Sequence, residues 1–210
     1  MSRFALAAVL GVTAMASADF VGASYIEEVI NPGEATYKIY LNFDNPLDQL
    51  LAVSGNANVS ALQLTASSPL IQKHLVSAVP ADVPGPLALP GDSWVTIGEG
   101  IANGGETQFS PGFLEGQGDA FGALISGDGF LQADNGGYFD SNPSTSVEGT
   151  SILIAQFTFA EGTTWTYTGT SDFNAGGTDL TNAAFSVSNI PAPGALALLG
   201  LAGLGRRRRG

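Results

Sequence analysis

Residues 151–160 read SILIAQFTFA. Successive side chains of a strand point to opposite faces. Here Ile152, Ile154, Gln156 and Thr158 would share one face, and Leu153, Ala155, Phe157 and Phe159 the other. A strand largely apolar on both faces must be covered on both, so the segment needs a sheet enclosed in a larger body. Other stretches alternate more cleanly. In ATYKIYLNFD, Tyr37, Ile39, Leu41 and Phe43 lie opposite Lys38, Tyr40 and Asn42. Asp44-Asn45-Pro46 turns the chain and LLAVSG continues as a second strand. SWVTIG at 93–98, FGALIS at 121–126, TTWTYTG at 163–169 and NAAFSVSN at 182–189 complete the strand candidates. Only SPLIQKHLV, 68–76, offers a helical turn or two, and the proline-rich stretch after it can be neither helix nor central strand. Strands without intervening helices predict an all-β, two-sheet antiparallel β-sandwich, jelly-roll-like or cohesin-like.

Charge is distributed unevenly along the 210 residues. All 19 acidic residues lie between Asp19 and Ile190, against Lys38 and Lys73 alone, so that this segment carries a formal charge of −17. Such a surface repels phosphate backbones and excludes nucleic acid as a partner. With no cysteine and only His74, thiol chemistry, a histidine triad and a zinc site lack their residues. A carboxylate pair across a glycosidic bond has acids enough, but no spacing singles one out, so a glycan-active enzyme ranks behind a non-enzymatic role.

The five remaining basic residues sit at the two ends. At the N-terminus, Arg3 precedes an apolar run from Phe4 to Met15, and the small residues Ala16 and Ala18 stand before Asp19. That order is a secretory signal peptide over 1–18, read by signal peptidase and cut between Ala18 and Asp19. At the C-terminus, a hinge at 190–193 leads to an apolar helix at 194–205 and a basic tail at 206–210. Twelve residues make a helix of about 18 Å, short of the roughly 20 residues that span a bilayer. Arg206, Arg207, Arg208 and Arg209 would hold that end in the cytoplasm during transit through the inner membrane.

Pro191-Ala192-Pro193, GALALLGLAGLG and RRRR in that order resemble the C-terminal sorting signal called PEP-CTERM. Ala192 stands where that family most often has Glu. The resemblance implies an exosortase-type enzyme that cleaves near the motif, and a final location on the cell surface or in extracellular matrix. A lasting tail anchor with a proline hinge is the alternative. Over the exported segment, 19–189, YKIYLNFDNPLDQLLAVSG and GTSILIAQFTF loosely resemble cohesin and carbohydrate-binding sandwiches. They are more similar to domains that accompany this sorting signal in planctomycete-type bacteria, and no binding residue is implied by that likeness.

Two ligand chemistries have candidate residues. Asp128, Asp134, Asn135 and Asp140 lie in glycine-rich, oxygen-rich loops suited to calcium, the one candidate cofactor, although Asn/Gly turns between strands would read the same way. Trp94, Tyr138 and Trp165, with Phe139, are the aromatics for a sugar-stacking platform on surface polysaccharide, although aromatics at alternate positions also build cores. The leading expectation is an exported, non-enzymatic surface or matrix protein with a structural or adhesive role, and a carbohydrate-binding module is the alternative.

Overall fold

β-branched and aromatic residues at alternate positions favour extended chain, because their side chains pack well on a pleated surface. The computed structural model describes residues 20–56, 58–71, 73, 90–98, 107–110, 131–133, 135–142 and 146–191, and among them the chain forms twelve strands and no helix. These are β1 (Phe20–Glu28), β2 (Glu34–Phe43), β3 (Gln49–Asn56), β4 (Leu62–Ala66), β5 (Trp94–Val95) and β6 (Thr107–Phe109), followed by β7 (Leu131–Ala133), β8 (Asn135–Asp140), β9 (Val147–Glu148), β10 (Ser151–Ala160), β11 (Trp165–Ala175) and β12 (Asp179–Ser188).

All pairings are antiparallel and fall into two sheets. The smaller runs β1-β2-β10-β5. In the larger, β12 pairs with β11 from Thr166 to Ala175 and so fills one whole edge of that strand. A strand has two edges, so β4 (on Trp165–Thr168) and β3 (on Thr170–Asn174) share the other in tandem. β7, β8 and β9 line the far side of that interrupted strand, and β6 pairs with β8. The sandwich expected from the sequence is the architecture observed.

The core between the sheets is aromatic. Trp165 of β11 meets Tyr25 and Tyr37 of the smaller sheet at ring separations of 5.3 and 5.1 Å, and Phe173 meets Phe43 at 5.0 Å. Phe157 of β10 meets Tyr167 edge-on at 5.1 Å. Each such pair contributes about 0.5–1.5 kcal/mol beyond the area it buries. Two hydroxyls lie within this core: Tyr138 donates to the Ile154 carbonyl at 2.9 Å and its oxygen lies 3.1 Å from that of Tyr167. Because Tyr138 commits its one proton to the carbonyl, Tyr167 is the donor between them. Burial pushes both hydroxyls above their ordinary pKa, so both stay protonated.

β10 is buried along its length from Ile152 to Phe159, as its sequence demanded, but its faces differ from strict alternation. The pairing with β2 shifts between Leu153 and Ala155. Ile154 is the extra residue, and the bulge brings Ile152 onto the same face as Ala155, Phe157 and Phe159, opposite Leu41, Ile39, Tyr37 and Ala35. The helical turn expected at 68–76 is absent from its described part, since Ser68–Ile71 is irregular chain; the rest, with FGALIS, lies outside the described residues. Ile71 and Ser93 instead seal the edge of β10 beyond β5: the Ile71 N–H donates to the Thr158 carbonyl, and the Ser93 hydroxyl accepts from the Thr158 N–H.

Candidate functional site

β8 carries adjacent aromatics, and period-two geometry sends them to opposite sides. Tyr138 enters the core and is fully buried, whereas Phe139 stands on the outer face of the larger sheet with 36% of its surface exposed. Around it lies an open groove of about 600 Å³ lined by Ala52, Ser54, Gly55, Asn56 and Asn58 on one side and Ser110, Gly136, Gly137 and Phe139 on the other.

Each wall follows from local sequence. Directly opposed residues share a face, so Ala52 beside Phe139 and Ser54 beside Gly137 form the floor, with Gln108 of β6 opposite Phe139 on its far side. The N–H of Asn58 donates to the Asn56 side-chain oxygen at 2.9 Å, a turn that lifts Asn58 to the rim. Ser110 fastens β6 to β8: its hydroxyl accepts from the Gly137 N–H at 2.8 Å and donates to the Gly137 carbonyl at 3.1 Å. Gly137 must be glycine because a Cβ there would overlap the Val53 carbonyl oxygen and come within 2.7 Å of the Ser54 Cα. One acid stands beside the floor. Asp172 accepts from the Ser54 hydroxyl at 2.9 Å, and burial raises its carboxyl above the ordinary value despite that bond.

The aromatic platform read from the sequence is corrected by these positions. Tyr138 and Trp165 are 0% and 1% exposed and belong to the core, and Trp94 is half-buried in β5 of the other sheet, so the three do not share a surface. Alternation places Tyr138 and Trp165 inside, and Phe139 is the ring that β8 turns outward. Its sequence signal was the Tyr138-Phe139 doublet after two glycines, which forces one ring out while sparing it neighbouring side chains.

The calcium candidates are also separated. Asn135 and Asp140 occupy opposite ends of β8, about 17 Å apart at 3.4 Å per residue, whereas ligands of one calcium ion sit 2.3–2.6 Å from it. The four therefore cannot surround a single ion. Asp128 and Asp134 lie outside the described residues, and among the described residues no three His, Cys, Asp or Glu side chains gather as a metal would require. Asp140 accepts from the Asn142 N–H at 2.9 Å, the hydrogen bond of a turn. Of the targeting residues, Pro191 is described and exposed; Ala16, Ala18, Asp19, Ala192, Pro193 and Arg206–Arg209 lie outside the described residues. Among the described residues no helix is long and apolar enough to cross a membrane.

Both lysines of the acidic segment are paired, Lys38 with Glu28 at 3.2 Å and Lys73 with Glu34 at 2.5 Å. The negative surface is thus left without a free lysine to offset it. Comparison with protein-family models, curated sequences and solved structures found no match to this chain.

Proposed function

We propose that the chain is an exported, non-enzymatic protein of the cell surface or extracellular matrix, with a structural or adhesive role. Signal peptidase would release it at Asp19, and an exosortase-type enzyme would process it near Pro191-Ala192-Pro193. The observation that supports this most directly is where the strands begin and end. β1 starts at Phe20 and β12 ends at Ser188, so both cuts would fall outside the sheets and leave every ladder intact. A tail anchor would leave the same domain outside the membrane. The paired lysines agree with this setting, because a surface dominated by carboxylates remains solvated and avoids nucleic acid.

Mass spectrometry of the protein from the surface of its native cells tests the proposal. The expected N-terminal peptide begins at Asp19, and no peptide reaches Gly210; recovery of mature protein ending at Arg209 or Gly210 would overturn sorting by cleavage. In the alternative reading, a carbohydrate-binding module, calcium would be the assisting ion, with Asp128 and Asp134 among its candidate ligands. Melting with millimolar calcium and with chelator should then differ, and identical curves would remove the ion.

A further inference from the structure

From the groove on the larger sheet, we propose a binding site for a neutral polysaccharide chain, with Phe139 as the ring on which a sugar stacks and Asn56, Asn58 and Gln108 as the amides that grip its hydroxyls. The proposal deepens the adhesive role above by naming the partner's chemistry.

Charge and hydrogen-bond inventory carry the assignment. In a segment of formal charge −17, none of the residues lining the groove is charged. An anionic polymer would be repelled by the surrounding surface, and a cationic peptide would find no carboxylate in the lining, since Asp172 beside the floor is part-buried and already accepts from Ser54. What the groove does present is one exposed ring and uncharged polar groups. Asn56 uses its side-chain oxygen within its own turn and leaves its Nδ2 group available; Asn58 is exposed at the rim. Gln108 is exposed directly across from Phe139. A sugar ring has matching chemistry, since its C–H face covers an aromatic ring while its hydroxyls donate to and accept from amides at the edges. Gly136 and Gly137 leave the ring's neighbourhood without side chains, so an extended chain can lie along β8 rather than touch at one point.

Isothermal titration calorimetry tests this with the full-length chain in a detergent that has no sugar headgroup. The probes are cellohexaose, laminarihexaose, xylohexaose and mannohexaose, with oligogalacturonate as the anionic comparison. At least one neutral hexaose should bind at millimolar concentration or below, and oligogalacturonate should not. Phe139→Ala should weaken that binding by about tenfold or more, the loss expected for a central aromatic anchor. Asn58→Ala, at an exposed position on the rim, should weaken it by about threefold or more and keeps the test valid should the Phe139 variant misfold. Val29→Ala, at an exposed position outside the groove lining, should change nothing. Absence of heat with all four neutral probes, undiminished binding by both groove variants, or preference for oligogalacturonate would overturn the proposal. So would concentration-dependent self-association abolished by Phe139→Ala, which would seat a second copy of the chain there. None of these outcomes alters the termini read by mass spectrometry, so failure here and failure of the sorting proposal are distinguishable.

Discussion

The two sheets share one core but present different outer faces. On the smaller sheet, several residues of β2 and β10 that point away from the core are nevertheless buried: Thr36 and Thr158 are fully covered, Gln156 is 6% exposed and Leu153 5%. Their polar atoms are committed. The Thr36 and Thr158 hydroxyls lie 2.9 Å apart and Gln156 donates to the Asp92 carbonyl at 2.7 Å. On the larger sheet, the Phe139 ring is 36% exposed and the Asn58 side chain stands in solvent with its amide free to bond a partner. A closed face spends its polar groups on stability, whereas an open one keeps them for a partner.

The largest expected effect comes from filling the open face at its base. Gly137→Ala would push β8 off β3, because the atoms its methyl meets are backbone and cannot rotate away. Destabilisation of about 3 kcal/mol, at the upper end for overpacking, should appear in urea unfolding. An unchanged midpoint would mean that β8 is loosely held and that the groove is not a built feature.

A hydroxyl deletion next separates the faces. Thr158→Val keeps the shape of the closed face but leaves the Thr36 hydroxyl buried without its side-chain partner, at a cost of about 1–3 kcal/mol. Asn58→Ala on the open face should stay within about 0.5 kcal/mol of the parent. Equal costs by thermal or urea unfolding would erase the distinction between the two faces.

Much of this architecture was legible in the sequence. Tyr37, Ile39, Leu41 and Phe43 announced the inner face of β2 by simple alternation, and all four are buried. The double-sided burial of β10 was equally plain from the apolar residues on both of its faces. Its faces were not, because a bulge such as that at Ile154 follows from how β2 pairs with it, and pairing is a non-local property. The interrupted strand made by β3 and β4 was hidden for the same reason: Asn56 and Ser60 close an excursion that only the straight run of β11 reveals. The candidate site was the least legible part. Four aromatic residues were candidates for one platform, yet size favours burial: Trp165 and Tyr138 went into the core, and of the adjacent pair Phe139 was the ring left outside.

A further clamp supports the closed face. Lys73 donates through its backbone N–H to Asp92 and through Nζ to Glu34, and Asn31 donates to the same Glu34 oxygen. Gly91 has a φ of 77° and sits so close that a Cβ would come within 2.8 Å of Asn31 Nδ2, so Gly91→Ala should loosen the clamp. An increase in amide exchange at Lys73 in that variant, with exchange in β12 unchanged, would report it.

The smallest effects are those of pH, and they should run in opposite directions on the two faces. Hydrogen bonding from Lys73 holds the Glu34 carboxyl below its ordinary value of 4.5. The unfolded chain therefore binds that proton more readily, and the stability Glu34 contributes is complete above its ordinary value and disappears as pH falls through the folded one. Asp172 is the reverse. Burial raises its carboxyl above its ordinary 3.8, so the folded chain binds the proton more tightly and stability is lost as pH rises through the folded value. Both carboxylates keep some contact with solvent, where such groups contribute about 1 kcal/mol or less, so the signal lies in the sign of the slope. Urea unfolding from pH 7 to pH 3 should show Glu34→Gln less stable than the parent at pH 7, with the gap closing in acid. Asp172→Asn should fare worst relative to the parent in acid and improve toward pH 7. If both variants diverged from the parent in the same direction, burial would not be what distinguishes Asp172 from Glu34. The open face would then hold Asp172 as the closed face holds Glu34, through a partner rather than against its surroundings.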